Sequence, residues 1–260
     1  MSASPLRVQR RGRAAVLTFE RPDDGNLLNF AMLTALRAAM ADAGADDGVD
    51  VVILTGAGPC FCIGDDGADI MSADAEVART INQAIFRDAH VWTPIAKPVI
   101  GAINGRCERG GLEVALQCDF LIASDRATFR DAHVIDGVVP AWALTATLPS
   151  AVGRGLAIQM ILTGRAIDAG QALTAGLVTA VVEHDDLLDE AMRVAADISA
   201  ADQPAVRNVL ATMRAGGPLS DERLLALEFE AHRALLTEEG RFPSVRAVLD
   251  DVASARRAAG

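Results

Sequence analysis

The chain has 260 residues, of which 51% are hydrophobic, and its formal net charge is −11 at pH 7. This length and composition suit one domain with a large apolar core, or such a domain with an appendage. The acidic balance argues against binding to nucleic acid or to anionic membranes, which needs a basic surface. The sequence has no leading apolar run and no apolar stretch of about 18 residues, so we expect neither a signal peptide nor a membrane span.

The cysteines and histidines do not follow a metal-binding pattern. The four histidines are scattered along the chain, and the pair Cys60-x-Cys62 is spaced more tightly than the usual zinc or redox motifs. We therefore expect a cytoplasmic protein with reduced cysteines and without a metal.

The N-terminal part of the chain alternates predicted strands with predicted helices. Short apolar runs bounded by turn residues predict the strands. Asn29 is a suitable N-cap for the first helix. The predicted strands span residues 6–10, 13–20 and 49–55, and the predicted helices span residues 30–43 and 76–91.

A central stretch, residues 96–133, predicts a strand over residues 99–103, a glycine loop, a buried helix and a further strand. Gly110 and Gly111 begin the helix, and Glu113 lies in its first turn. The unpaired N–H groups at such a helix start favour negative charge, including an oxyanion that forms only during a reaction. An acidic residue in the first helical turn is also common in helices that have no catalytic role.

The chain after residue 185 is predicted to be almost entirely helical. A Gly-Gly-Pro sequence at residues 216–218 interrupts this region. The alternation of strands and helices before it indicates an α/β core. The predicted C-terminal helices span residues 186–200, 204–214, 221–237 and 242–255.

Three motifs, in the expected order, resemble those of the crotonase (enoyl-CoA hydratase/isomerase) superfamily. The superfamily pattern LTG-x-G-x-x-F-x-x-G-x-D is similar to LTGAGPCFCIGDD at residues 54–66. The pattern KPVIAA-x-NG-x-x-x-GGG-x-E is similar to KPVIGAINGRCERGGLE at residues 97–113. A third pattern, R-P-x-x-x-N-x-L-N, is present at residues 21–29. The resemblance covers nearly the whole chain and weakens after about residue 200.

The resemblance implies an α/β fold, a spiral of ββα repeats followed by a C-terminal α-helical trimerisation region. It divides the chain into an acyl-CoA-binding core, residues 1–195, and a helical oligomerisation and lid region, residues 196–260. It also implies a homotrimer or a hexamer built as a dimer of trimers.

The resemblance further implies an oxyanion hole for the carbonyl of an acyl-CoA thioester. The two donors are the backbone N–H groups of Asp65 and Gly110. Two fixed donors stabilise the charge that develops on this oxygen, and losing one costs about 3–4 kcal/mol. The alternative for Asp66 is a purely structural role, and the alternative for Trp142 is that its ring only fills the core. The substrate contacts that we expect around the donors are Cys62, Ile63, Gly64, Asp66, Arg109 and Trp142.

The side chain of Asp65 is unusual, because the superfamily usually has an uncharged residue at this position. A carboxylate about 5 Å from an enolate oxygen would cost ~3 kcal/mol at an effective dielectric constant near 20. We therefore expect this side chain to point away from the site. The alternatives are that it is protonated or that it serves as an acid or a base.

Hydratases of this superfamily use two glutamates, and only one is present here. Glu113 matches the first, and the position of the second, twenty residues later, holds His133. Water addition needs a base for the water and an acid for the α-carbon, and a glutamate–histidine pair can share these roles. The alternative is that His133 is a loop histidine bonded to Asp131 or Asp136.

The sequence is therefore interpreted as an acyl-CoA-processing enzyme, with reversible hydration of a 2-enoyl-CoA as the favoured reaction. The missing second glutamate leaves open double-bond isomerisation, thioester hydrolysis, and a non-catalytic acyl-CoA-binding subunit. We expect no cofactor other than the coenzyme A of the substrate. The anionic coenzyme needs local positive charge, and the candidates in or near the motifs are Arg21, Lys97, Arg106 and Arg109.

Overall fold

The computed structural model describes residues 4–66, 90–140 and 142–215. The predicted helices over residues 221–237 and 242–255 lie outside these ranges, as does the predicted break at residues 216–218. Residues 76–89 of the predicted helix over 76–91 also lie outside them.

The strands are β1 (Leu6–Arg11), β2 (Ala14–Phe19), β3 (Val51–Gly56), β4 (Cys60–Cys62), β5 (Val99–Ile103), β6 (Arg106–Glu108), β7 (Phe120–Ser124), β8 (Thr128–Arg130), β9 (Ile167–Asp168) and β10 (Ala180–Val182). The α-helices are α1 (Phe30–Ala45), α2 (Gly110–Ala115), α3 (Leu144–Val152), α4 (Arg154–Thr163), α5 (Ala169–Ala175), α6 (Leu187–Ala200) and α7 (Gln203–Ala215).

The larger sheet has the strand order β1-β2-β3-β5-β7-β10. β1 and β2 form an antiparallel hairpin, and the remaining neighbours are parallel. Successive side chains of a strand point to opposite faces of the sheet. Val52 and Leu54 accordingly join the core cluster that contains α1, whereas Val51 and Ile53 join the cluster that contains α6. Because helices cover both faces, β3 is apolar at nearly every position.

The smaller sheet has the strand order β4-β6-β8-β9, and its first three strands are parallel. Each of these strands directly follows a strand of the larger sheet, so that β3 leads to β4, β5 to β6 and β7 to β8. The chain thus passes repeatedly from one sheet to the other. This repetition confirms the predicted spiral of strand–strand–helix units.

Two asparagines of the sequence motifs fix the turn between β3 and β4. The side-chain amide of Asn26 donates to Ala57 O at 2.9 Å and to Cys60 O at 2.8 Å. The amide of Asn104 donates to Gly58 O at 2.9 Å and to Cys60 O at 3.1 Å. These bonds satisfy backbone carbonyls of the turn and of the first residue of β4, and they hold the start of the segment that leads to Asp65.

The chain divides into two compact units, Met1–Ala200 and Ala201–Gly260. The predicted boundary after residue 195 stays a prediction, and α6 continues through that residue. Within the part of the chain that the structure describes, no helix is both long and apolar enough to cross a membrane.

Candidate active site

Glu113 is held in the core by the short helix α2. A Cβ atom at Gly111 would lie 2.1 Å from Cys62 O, so glycine is needed for α2 to approach β4 this closely. Glu113 is only 2% exposed. The backbone N–H of Trp142 donates to Glu113 Oε1 at 2.7 Å. One carboxylate oxygen is thereby fixed.

His133 lies between two carboxylates. Its Nδ1 is 2.5 Å from Asp131 Oδ1, and its Nε2 is 3.8 Å from Glu113 Oε2. Both His133 and Asp131 are buried. The ring therefore bonds to Asp131 through one nitrogen, as one alternative expected, and faces Glu113 with the other, whereas the catalytic role stays a prediction.

The surroundings of His133 favour its protonated form. Burial by itself lowers the pKa of an imidazole. The hydrogen bond to Asp131 and the negative charges of Asp131, Glu113 and Asp65 more than offset burial, so the pKa of His133 is raised above its ordinary value. In its protonated form, the ring can donate a proton from Nε2.

The backbone around Asp65 directs its amide away from the nearest chain segment. Leu28 N–H donates to Gly64 O at 2.9 Å, and Asp66 N–H donates to Leu28 O at 2.9 Å. In a parallel pairing of this kind, the residue between the two bonded positions points its own N–H to the opposite side. Gly110 is the first residue of α2, where a helix offers its N–H no acceptor. Among the described residues, neither amide therefore has a backbone acceptor.

The structure corrects the expected orientation of the Asp65 side chain. A Cβ atom at Gly110 would lie 2.2 Å from Asp65 Oδ1 and 3.1 Å from Trp142 Cζ3. The carboxyl group thus lies against Gly110 instead of pointing away from it. Its Oδ1 is buried and has no hydrogen-bond partner among the described residues. Burial raises the pKa of Asp65, and the positive charges of His133 and Arg109 only partly oppose this rise.

Three other predicted substrate contacts are engaged with the protein. The Cys62 thiol is buried next to Gly64 O, and burial raises its pKa to about 12, so it is neutral. Ile63 packs on Gly25, where a Cβ atom would lie 2.5 Å from Ile63 Cδ1. The Asp66 carboxylate is 3.2 Å from Arg21 Nη2. Two contacts therefore join the motif at residues 21–29 to the motif at residues 54–66. They are the ion pair between Asp66 and Arg21 and the packing of Ile63 on Gly25.

Arg109 links the two loops of the site. It has a φ of 49°, which is unusual for a residue other than glycine. Its Nη1 is 2.5 Å from Asp136 Oδ2. A Cβ atom at Gly64 would lie 2.8 Å from Arg109 Nε. The guanidinium therefore lies beside Gly64 and is tied to the turn that follows His133.

The remaining basic candidates also have partners. Lys97 is buried, and its Nζ donates to Ala43 O and Asp46 O, both at 2.7 Å. It therefore stabilises the C-terminal end of α1, and its ammonium group is directed at these carbonyl oxygens. Arg106 pairs with Glu108 at 2.8 Å.

Sequence reasoning named Asp131 only as an alternative partner of His133, although it is a member of the site. The available signal was the spacing Asp-x-His directly after a strand, since an aspartate often bonds to the chain two residues later. Within residues 4–66, 90–140 and 142–215, no group of three or more His, Cys, Asp or Glu side chains is arranged to hold a metal ion. The site thus combines a fixed carboxylate, a neighbouring imidazole with a raised pKa, and the backbone amides of Asp65 and Gly110, which suits proton transfer beside a carbonyl group.

Comparisons with known proteins agree with this chemistry. A family model described as Enoyl-CoA hydratase/isomerase matches residues 9–247. A probable enoyl-CoA hydratase of Rhizobium meliloti is 35% identical over 214 residues, 79% of each chain. The crotonyl-CoA hydratase of Syntrophomonas wolfei is 34% identical over 235 residues, 89% of each chain. The crystal structure of an enoyl-CoA hydratase from Mycobacterium tuberculosis is 43% identical, with a TM-score of 0.75, over 88% of this chain and 98% of that one.

Proposed function

The chain belongs to the enoyl-CoA hydratase/isomerase family, and we propose that it catalyses the reversible hydration of a 2-enoyl-CoA thioester. The observation that carries the proposal is the placement of His133 Nε2 at 3.8 Å from Glu113 Oε2. Glu113 lies in the helix that Gly110 begins, and the charge of Asp65 acts on His133. The names of the relatives with about 35% identity support the same reaction.

The proposed role of the two amides is electrostatic. The thioester carbonyl oxygen accepts hydrogen bonds from Asp65 N–H and Gly110 N–H. When water adds to the β-carbon, the electrons of the double bond move towards this oxygen, and the two donors stabilise the enolate that develops. Fixed donors in a site without bulk water do not have to reorganise during the reaction.

The proposed proton transfers use Glu113 and His133 in different roles. Glu113 accepts a proton from the water while the water oxygen bonds to the β-carbon. The His133 imidazolium gives its Nε2 proton to the α-carbon, so the elements of one water are added in total. Glu113 then holds a proton that His133 lacks, and transfer between their neighbouring atoms restores the starting state. A general acid or base of this kind contributes about 10²–10⁴-fold to the rate.

Hydration of crotonyl-CoA, followed by the loss of enoyl absorbance, tests the proposal. We expect Glu113→Gln and His133→Ala each to lower kcat by about 10²–10⁴-fold. Glu190→Gln is the matched control, because Glu190 pairs with Arg193 at the surface of α6. Unchanged turnover in Glu113→Gln would remove Glu113 from the mechanism.

A wild-type protein that does not hydrate crotonyl-CoA would redirect the proposal. Conversion of a 3-enoyl-CoA to the 2-enoyl isomer would indicate an isomerase, and release of free coenzyme A from a saturated acyl-CoA would indicate a hydrolase. Tight binding of these thioesters without turnover of any of them would indicate a binding subunit.

The proposed assembly is a homotrimer or a hexamer that works in the cytoplasm and needs no cofactor beyond the coenzyme A of its substrate. The family resemblance supports this assembly. Sedimentation analysis tests it, because the expected mass is about three or six times the 27.2 kDa of one chain. A particle of one chain mass would contradict it.

A further inference from the structure

Asp131 is a buried carboxylate whose bonding is incomplete. Its Oδ1 lies 2.5 Å from His133 Nδ1 and receives a weaker bond from His133 N–H at 3.3 Å. Its Oδ2 is buried without a hydrogen-bond partner among the described residues. Leaving a buried polar atom unpaired costs about 1–3 kcal/mol, and more when the group is charged. A residue kept only to stabilise the turn would not need this charge.

The bond to Asp131 determines which atom of His133 faces Glu113. When Nδ1–H donates to Asp131 Oδ1, the ring is held with Nε2 towards Glu113 Oε2, 3.8 Å away. Without this acceptor the imidazole can flip about its χ2 angle, which puts Cδ2 in the place of Nδ1 and Cε1 in the place of Nε2, so a carbon and not Nε2 then faces Glu113.

Charged groups from three parts of the chain face His133. Asp131 belongs to its own turn, Glu113 belongs to α2, and Asp65 follows β4. Arg109, whose charge acts on Asp65, is paired with Asp136. Among the described residues, three carboxylates act on the ring, and Asp131 lies closer to it than Glu113 does.

We infer that Asp131 is a positioning residue that fixes the orientation of His133 and keeps it in the imidazolium form from which it protonates the α-carbon. The inference rests on the proposed function, because it takes the acid role of His133 from it. Asp131 does not touch the substrate. Its effect reaches the reaction only through the ring that it holds.

The first test does not depend on activity. The titration of the His133 imidazole is followed by NMR, and its signal is identified by its absence in His133→Gln. We expect the midpoint in Asp131→Asn to move to lower pH, because the variant keeps an acceptor for Nδ1–H but loses the negative charge. Asp50→Asn is the matched control, since Asp50 is also buried but pairs with Arg13. An unchanged midpoint in Asp131→Asn would overturn the inference.

The second test uses kinetics with crotonyl-CoA. We expect Asp131→Asn to lower kcat by at least ~10-fold with a KM within about twofold of the wild type. The alkaline limb of its pH–rate profile moves to lower pH, because the acid loses its proton earlier. Asp131→Ala, which also removes the acceptor for Nδ1–H, is expected to be slower still. A normal kcat and an unmoved alkaline limb in both variants would overturn the catalytic part of the inference.

The two tests separate this inference from the proposed function. If the wild type hydrates no enoyl-CoA, the proposed reaction fails, and the NMR midpoint still decides whether Asp131 controls His133. If Asp131→Asn does not fold, Asp131→Ser removes the same charge, and the same titration decides.

Discussion

At the scale of single residues, the site depends on how closely its parts approach one another at Gly110. The Asp65 carboxyl group and the Trp142 ring both lie where a side chain at position 110 would extend. Glycine is thus needed here for reasons of space, although its φ is not in the left-handed region. The same contact places Asp65 Oδ1, which has no hydrogen-bond partner among the described residues, next to Gly110, whose N–H is a proposed oxyanion donor.

Gly110→Ala is expected to lower kcat for crotonyl-CoA by about 10²–10³-fold, the effect of displacing one oxyanion donor. The added methyl group would lie 2.2 Å from Asp65 Oδ1, so the Asp65 side chain, its loop or α2 has to shift. Steady-state kinetics measure the loss. Gly155→Ala is the control, because a Cβ atom there has no neighbour within 4 Å. Activity of Gly110→Ala equal to that of the control would contradict this role.

The double variant Asp65→Ala/Gly110→Ala tests whether the two side chains conflict directly. We expect it to recover part of the activity that Gly110→Ala loses, because the clashing carboxyl group is absent. Residues in contact show such non-additive effects in double-mutant cycles. Strictly additive losses would show that the damage arises elsewhere.

At the scale of the elements, α2 begins in a strained conformation. Arg109, the residue before the helix, has φ 49° and ψ −123°. Such backbone angles cost roughly 1–3 kcal/mol for a residue with a side chain. The cost persists where the surrounding contacts oppose relaxation, and here the ion pair with Asp136 and the packing on Gly64 do so. The strained position lies directly between the two loops that form the site.

A pair of variants separates the strain from the lost charge. Arg109→Gly and Arg109→Ala both remove the guanidinium, but only glycine relaxes the backbone. We expect Arg109→Gly to be more stable than Arg109→Ala by about 1 kcal/mol, after the greater chain entropy of glycine in the unfolded state is subtracted. Urea unfolding measures the difference in the free energy of unfolding. Equal stabilities would mean that the conformation is not strained.

At the scale of the whole molecule, the raised pKa of His133 makes folding depend on pH. The charged imidazole has favourable partners only in the folded protein. Its contribution to stability is therefore complete below the unfolded pKa of about 6.5, and it is lost as the pH rises through the higher folded pKa.

Urea unfolding of the wild type and of His133→Gln checks this dependence between about pH 5.5 and pH 9. We expect the advantage of the wild type in free energy of unfolding to shrink as the pH rises. His184→Gln is the matched control for losing one imidazole elsewhere in the fold. An advantage that stays constant or grows with pH would show that His133 is neutral in the folded protein.

Local sequence patterns were sufficient for the long elements. Asn29 caps α1 as predicted, with its side chain accepting from Met32 N–H. The strand predicted over residues 99–103 is β5, and the paired glycines begin α2. In each case the signal is contained in a few adjacent residues, either an apolar run or a residue suited to a helix end. The three motifs added the spiral order of the strands, which no local pattern contains.

The short strands and the bonding of the site were decided by the tertiary structure. β4, β6 and β8 have three residues each, too few for a periodic pattern, and exist because they pair with one another. His133 meets Glu113 because the β7–β8 turn of the spiral brings α2 and the residues after β8 together. The Asp65 orientation and the burial of Lys97 follow from the same packing. The sequence alone therefore determined the family motifs and the candidate residues Glu113 and His133, whereas contacts between distant segments determined which atoms face one another.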